Sequence, residues 1–199
     1  MDWTVAVCVI VIILTARPSW AKLEPICAAL KARGVPFGIV ACASALLERY
    51  GKVVDVIKAQ GYPVIEELHT TIEGATVETS AQETGVLYSA ISHALSRLRP
   101  RSVVVCADRH EVIAPAAAAA MLHLPMVHLQ GGERSGSIDN KVRDAVSMLA
   151  DYHCTSTARS KYRVYALTGN WERIHFTGCP SIDTAQAAQA DPPVTNSEL

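Results

Sequence analysis

Short β-branched runs alternate along the chain with stretches whose apolar residues recur at helical spacing. The run from Val5 to Leu14 is apolar throughout, which predicts a first strand buried on both faces. A helix is predicted over 21–33, where Leu23, Ile26, Cys27 and Leu30 share a face and Gly34 closes the turn. Phe37 to Cys42 predicts a second strand, Leu46 to Gln60 a helix ended by Gly61, and Pro63 to Leu68 a short third strand. The polar stretch from Glu66 to Ala81 predicts a long surface loop across the mouth of the sheet. Leu87, Ile91, Leu95 and Leu98 then mark an amphipathic helix over 82–98, stopped by Pro100, and Ser102 to Cys106 predicts the clearest strand of the chain.

The alternation continues with an Ala-rich helix (112–122), a strand (126–129), a Gly-rich loop, and a helix with Val142, Val146 and Leu149 on one face. Asp139 is placed to be the N-cap of that helix. A strand over 153–156, a helix over 158–167 and a strand over 174–177 complete the pattern. After Asp183 the composition shifts to Ala, Gln and Pro, which predicts a linker or frayed tail over 184–199. Repeated βαβ units predict an α/β fold, a parallel sheet with helices on both faces, in one domain over 1–183.

Composition narrows the setting. Half of the 199 residues are hydrophobic and 19% are charged, the balance of a packed globule. A net charge of -1, with Lys and Arg scattered, argues against nucleic acid as a partner. Six cysteines lie far apart and form no close pair of the kind that holds zinc or cycles redox, so they read as reduced core thiols in a cytoplasmic protein. The apolar run at the start is about half the roughly 20 residues that a membrane span needs. The residues before it include Asp2 and no Lys or Arg, unlike a signal peptide.

In open parallel sheets ligands bind beyond the carboxyl ends of the strands, so the polar residues that follow strands carry the candidate chemistry. After strand one, Arg17 and Lys22 flank a helix start, where two cations and free N–H groups suit phosphate; a solvated loop end accounts for them as well. Neither GxGxxG nor a P-loop is present. In VVVCADRHE, Asp108 follows an apolar strand with Arg109 and Glu111 beside it, a setting either for a proton-transferring carboxylate or for a helix cap. The segment HLQGGERSGSIDNKVR combines Gly131-Gly132, which let backbone approach a ligand, with Glu133, Arg134, Asp139 and Arg143. His128 at its start reads as a core histidine or a ligand-side donor, and FTGCPSID near the end as a structural turn.

Taken in this order, Arg17 with Lys22-Leu23 and Pro25, ADRHE at 107–111, HLQGGERSGSIDNKVR at 128–143, DYHCTST at 151–157 and GCPSID at 178–183 resemble the hydrolysing UDP-N-acetylglucosamine 2-epimerase family of sialic and nonulosonic acid synthesis. The resemblance implies the N-terminal Rossmann-like domain of a glycosyltransferase-B type architecture, without metal or other cofactor. It implies UDP-N-acetylglucosamine or a related UDP-sugar as ligand, elimination of UDP through a glycal, and release of N-acetylmannosamine or a related sugar. Asp108, Glu133 and Asp139 become the catalytic carboxylates by that resemblance, and Arg17, Lys22, Arg109, His128, Gln130 and Arg143 the substrate-binding set.

The sequence departs from the family pattern at Gln130, where sialic-acid-type members often carry Glu, at Ser19, which replaces an acid, and at Asn140, where a second acid is frequent. The second, nucleotide-binding domain is absent from the sequence, so a partner domain or chain is expected, with self-association through the face it would cover. An acceptor-side subunit of a split glycosyltransferase and a non-catalytic binding remnant of the epimerase fold are the competing readings.

Overall fold

Seven short segments assemble into one sheet whose central strands, Ile10–Leu14, Phe37–Cys42 and Ser102–Cys106, are apolar on both sides and must be covered on both. The computed structural model describes residues 9–74, 76–106, 109–136 and 138–189. The elements run β1 (Ile10–Leu14), α1 (Arg17–Ala32), β2 (Phe37–Cys42), α2 (Val53–Ala59), β3 (Val64–Leu68), α3 (Val77–Leu98), β4 (Ser102–Cys106), α4 (Ile113–Met121), β5 (Met126–Leu129), α5 (Asp139–Leu149), β6 (Tyr152–Thr155), α6 (Ala158–Thr168), β7 (Ile174–Phe176) and α7 (Pro180–Gln189). The strands are ordered β3-β2-β1-β4-β5-β6-β7, and every pairing is parallel. The direction of winding reverses between β1 and β4, the switch point where such sheets open a crevice.

Strand parity splits the core into two layers. Val11 and Ile13 of β1 with Val103 and Val105 of β4 pack under Leu87, Ile91 and Leu95 of α3 and the alanines of α4. Ile12 and Leu14 with Val104 and Cys106 face the other way, against Trp20, Leu23 and Cys27 of α1 and Ile57 of α2. The predicted α/β class and the strands 37–42, 102–106 and 126–129 stand as read. The part of the first apolar run before residue 9 lies outside the described residues.

Several boundaries differ, each for a local reason. The helix expected over 46–60 is two short 3-10 turns, Ala43–Leu46 and Glu48–Tyr50, followed by α2, because Gly51 turns left-handed at φ 78° between them. The loop expected over 66–81 is shorter. Strand β3 holds to Leu68, and α3 starts at Val77 because Thr76 and Thr79 form a reciprocal cap, each hydroxyl accepting from the other's backbone N–H at 3.1 and 2.9 Å. Helix α1 starts at Arg17 rather than 21, with a proline in its first turn, where a missing N–H costs nothing. The turn read into GCPSID and the start of the tail are helix α7, which packs on α1.

Leu87 is fully buried while its neighbour Val86 is 47% exposed. Leu87→Ala should therefore lower the unfolding free energy by about 2–5 kcal/mol. Val86→Ala should change it by less than about 0.5 kcal/mol. Urea titration of the two variants checks the assignment of the α3 face, and similar losses in both would contradict it.

Candidate active site

The carboxyl edge of the sheet gathers polar residues from three adjacent strands. At the end of β1, Arg17 opens α1, which has neither a capping side chain nor an acid in its first turn. Pro18 has no N–H and Ser19 N donates to Ala16 O at 3.1 Å, so the positive end of the helix dipole is what this helix start offers an anion. The Arg17 guanidinium lies against Gly51, whose left-handed φ of 78° favours glycine. Half-buried Lys22 lies close enough to Cys106 for its charge to act on that thiol. Burial pushes the Cys106 thiol up to about 12; Lys22 opposes this, and Glu133 adds to it. Lys22 and Glu133, which start from different strands, thus share one neighbourhood.

Beyond β4, Asp108 lies outside the described residues. Arg109 donates from Nε to Glu111 Oε1 at 2.6 Å, and Glu111 is only 1% exposed. Burial alone would depress the Arg109 guanidinium, but the Glu111 carboxylate, with Asp139 helping, holds it above its ordinary value. Asp139, at the start of α5, therefore belongs to the same electrostatic neighbourhood as the β4 loop.

The loop after β5 is the most constrained part of the edge. Gln130, 3% exposed, sits in the left-handed region at φ 62° and donates from Nε2 to Cys179 Sγ at 3.1 Å, while its buried Oε1 has no hydrogen-bond partner. At Gly132, φ 78°, a Cβ would meet the Ser160 carbonyl oxygen at 2.3 Å, so no side chain fits. Arg143 reaches back from α5, 2% exposed, and donates to Glu133 O at 2.6 Å, Asn140 Oδ1 at 3.0 Å and Ser135 Oγ at 3.3 Å. Asn140 Oδ1 also accepts from Ser135 N at 2.9 Å. The side chain of Glu133 accepts a short hydrogen bond from Ser156 Oγ at the end of β6.

Asp139 occupies the first helical position, and the N-cap is Ile138, so the expected capping role is corrected. This leaves Asp139 half-buried at the helix start, within reach of Arg109. His128 is fully buried and lies beneath the loop, its Nδ1 3.1 Å from Ser147 Oγ and its ring edge-on to His153 of β6, its partner in register. The His128 Nδ1 also lies 3.1 Å from where a Cβ on Gly131 would stand. Ser156 and Gly51 are contributors that residue-type patterns missed, and Asn140, read from sequence only as a departure from the family pattern, is a hydrogen-bonding member of the loop. Ser156 could have been suspected from its place at a strand end, but nothing in the sequence links Gly51 to Arg17. Among the described residues no helix is long and apolar enough to cross a membrane. Cys27, Cys42, Cys106, Cys154 and Cys179 are free thiols.

The family described as UDP-N-acetylglucosamine 2-epimerase matches residues 28–198. A UDP-N,N'-diacetylbacillosamine 2-epimerase (hydrolyzing) of Legionella pneumophila is 34% identical over 134 residues, 67% of this chain and 36% of that protein. A GDP/UDP-N,N'-diacetylbacillosamine 2-epimerase (hydrolyzing) of Campylobacter jejuni is 25% identical over 171 residues, 85% of this chain and 44% of that protein. Among solved structures, a putative UDP-N-acetylglucosamine 2-epimerase from Listeria monocytogenes superposes with a TM-score of 0.81 at 19% identity, covering 95% of this chain and 50% of that one. The Neisseria meningitidis UDP-GlcNAc 2-epimerase bound to UDP-GlcNAc does so with a TM-score of 0.77 at 18% identity, covering 90% and 49%. These likenesses establish the fold as one half of the glycosyltransferase-B-like architecture. The chain spans about half or less of the length of the relatives it matches.

His153, under the loop, makes stability depend on pH. Burial lowers the His153 imidazole from its ordinary 6.5 to about 4, against the opposing charge of Asp151. The unfolded chain therefore binds a proton below about 6.5 that the native state refuses until about 4, so stability falls as pH drops through that window. Chemical denaturation across this range should show a smaller loss for His153→Gln than for the wild type. Equal slopes would assign the acid sensitivity to other groups.

Proposed function

The chain belongs to the UDP-N-acetylglucosamine 2-epimerase family, and on that premise we propose that it is the proton-transfer half of a hydrolysing UDP-sugar 2-epimerase. One observation carries the reading. Lys22 and Glu133 both act on the Cys106 thiol, Asp139 acts on Arg109, and Arg17 opens α1, all beyond the carboxyl ends of β1, β4 and β5. The names of the Legionella and Campylobacter relatives support a 2-acylamino sugar nucleotide as substrate, and the Neisseria structure bound to UDP-GlcNAc supports the same ligand class.

The chemistry proceeds in two stages. A base takes the proton from the sugar C2 while the C1–O bond breaks and its electron pair leaves with UDP, giving the glycal. Water then adds across the double bond, oxygen to C1 and a proton to the opposite face of C2, which inverts that centre. Proton removal from so weak a carbon acid needs positioned carboxylates, and departure of UDP needs cations on the diphosphate. Asp108 is assigned the proton transfer at C2. Glu133 and Asp139 act as the supporting acids, and Arg17 and Lys22 face the diphosphate at the N-terminus of α1. Arg109 meets the sugar, and Arg143 fixes the loop that carries Glu133. The second wall of the cleft, with its nucleotide contacts, comes from a further domain or chain, and homo-oligomerisation is part of the same proposal.

Gln130 favours keeping a second reading. An amide cannot serve as a base, so a binding domain that has lost catalysis would have this feature.

The decisive assay is UDP release by the purified chain, alone and mixed with the nucleotide-binding half of a related epimerase. The lone chain should bind UDP-N-acetylglucosamine only at millimolar concentration and release no UDP above background, because one wall cannot exclude water or fix the diphosphate. Turnover should appear in the mixture and fall about a hundredfold or more in Asp108→Asn. Robust turnover by the lone monomer would overturn the half-enzyme reading. In the same mixture Gln130→Glu should raise the rate of elimination. An unchanged rate with unchanged affinity would take position 130 out of catalysis.

A further inference from the structure

The loop that carries Glu133 is fastened by two helices, and neither fastening reaches the carboxylate. From α5, Arg143 donates to Glu133 O at 2.6 Å. From α6, Arg163 donates from Nη1 to Gly132 O at 3.1 Å, and Val164 Cγ2 lies 3.0 Å from where a Cβ on Gly132 would stand. These contacts set the path of the main chain. The Glu133 side chain is half-buried and has three torsions of its own, each with alternative wells. A fixed backbone therefore leaves the direction of the carboxylate open.

Among the described residues Ser156 alone donates a hydrogen bond to that carboxylate, from Oγ to Oε1. The donor is held more firmly than the acceptor. On one side Thr155 is fully buried at the end of β6, its hydroxyl donating to His175 O at 3.2 Å and its carbonyl accepting from Thr177 N at 3.1 Å. On the other side Thr157 caps α6, its hydroxyl accepting from Ser160 N at 3.0 Å. Ser156 thus joins a strand of the sheet directly to a capped helix, and a single torsion places its oxygen. A hydroxyl so anchored, donating to an ionised acceptor, forms a hydrogen bond of the stronger, direction-setting kind.

We propose that Ser156 is a positioning residue of the site: its hydroxyl holds Oε1 of Glu133 and so fixes how Oε2 is presented at the carboxyl edge of the sheet. Arg143 and Arg163 hold the loop, and Ser156 aims the acid. The proposal rests on the reading above, which makes Glu133 an acid of the site, and adds a residue that acts through Glu133 rather than on the substrate.

Side-chain relaxation NMR on the full chain, labelled with carbon-13 in glutamate, tests it without any ligand, and Glu133→Gln identifies the Glu133 signal. The Glu133 side chain should be ordered in the wild type and fall to an order parameter below about 0.6, the range of flexible groups, in Ser156→Ala. Ser156→Thr, which keeps the hydroxyl, should restore the order. Thr157→Ala, which removes the α6 cap, should lower stability and leave Glu133 ordered, a separation that a merely structural role for Ser156 would not give. In the reconstituted mixture Ser156→Ala should lower kcat about tenfold or more and leave KM within about twofold. A wild-type side chain already in the flexible range, one that Ser156→Ala leaves ordered, or an unchanged kcat overturns the proposal. If Ser156→Ala fails to fold, Ser156→Cys, which keeps the shape with a weak donor, decides by the same measurement. Loosening of Glu133 in the variant, together with no turnover in the wild-type mixture, supports the orientation by Ser156 and overturns the epimerase reading instead.

Discussion

A strand covered on both faces can expose polar groups only at its ends, and in a parallel sheet all the carboxyl ends lie on one edge. That constraint organises the whole molecule. Because β1 and β4 are both buried on two sides, the first residues free to carry charge after them are Arg17 and the segment leading to Arg109 and Glu111. The two layers of the core, one under α3 and α4 and the other under α1 and α2, are the means by which these strands are covered. Disturbing either layer would move the strand ends and so the site.

The loop after β5 shows how the edge is kept rigid without a ligand. A guanidinium as buried as that of Arg143 must be hydrogen-bonded to be tolerated. It meets that need on a backbone carbonyl, an amide oxygen and a hydroxyl within one short segment. The guanidinium thereby ties the start of α5 to the backbone of Glu133, while the Glu133 carboxylate is oriented separately by Ser156. Asn140 takes on a role in this frame. Where an acid would have formed an ion pair with Arg143, the amide oxygen joins the arginine to Ser135 N, a hinge between two parts of the loop.

Most of the fold was legible because strand and helix periods differ sharply in this chain. VVVC and MVHL permit no helical face, and Leu87, Ile91 and Leu95 permit no strand. The sequence misled where local backbone geometry, rather than periodicity, decides. The stretch 46–60 has helical spacing, but Gly51 at φ 78° divides it. The segment from Thr76 to Ala81 is polar enough for a loop, but two threonine hydroxyls cap it into helix. At the site, the residues that matter by type, Arg17, Glu133 and Arg143, could be named from sequence. Those that matter by contact could not: the seating of Arg17 on Gly51 and the orientation of Glu133 by Ser156 join residues 34 and 23 positions apart.

Gln130 brings these strands of argument together. A non-glycine residue held in the left-handed region costs about 1–2 kcal/mol, and such strain persists only where the surroundings impose it. Here the backbone N–H of Gln130 donates to the Cys154 carbonyl at 2.8 Å, so the sheet itself sets the conformation, and the side chain is carried inward beside Cys179. The amide spends its donor on a sulfur and leaves its oxygen unmatched. A carboxylate in that place would meet the same apolar neighbours, Leu129 and Cys154 among them, and burial would raise its pKa toward neutrality. At position 130 the chain therefore combines a backbone held by the sheet with an amide whose oxygen is left unmatched.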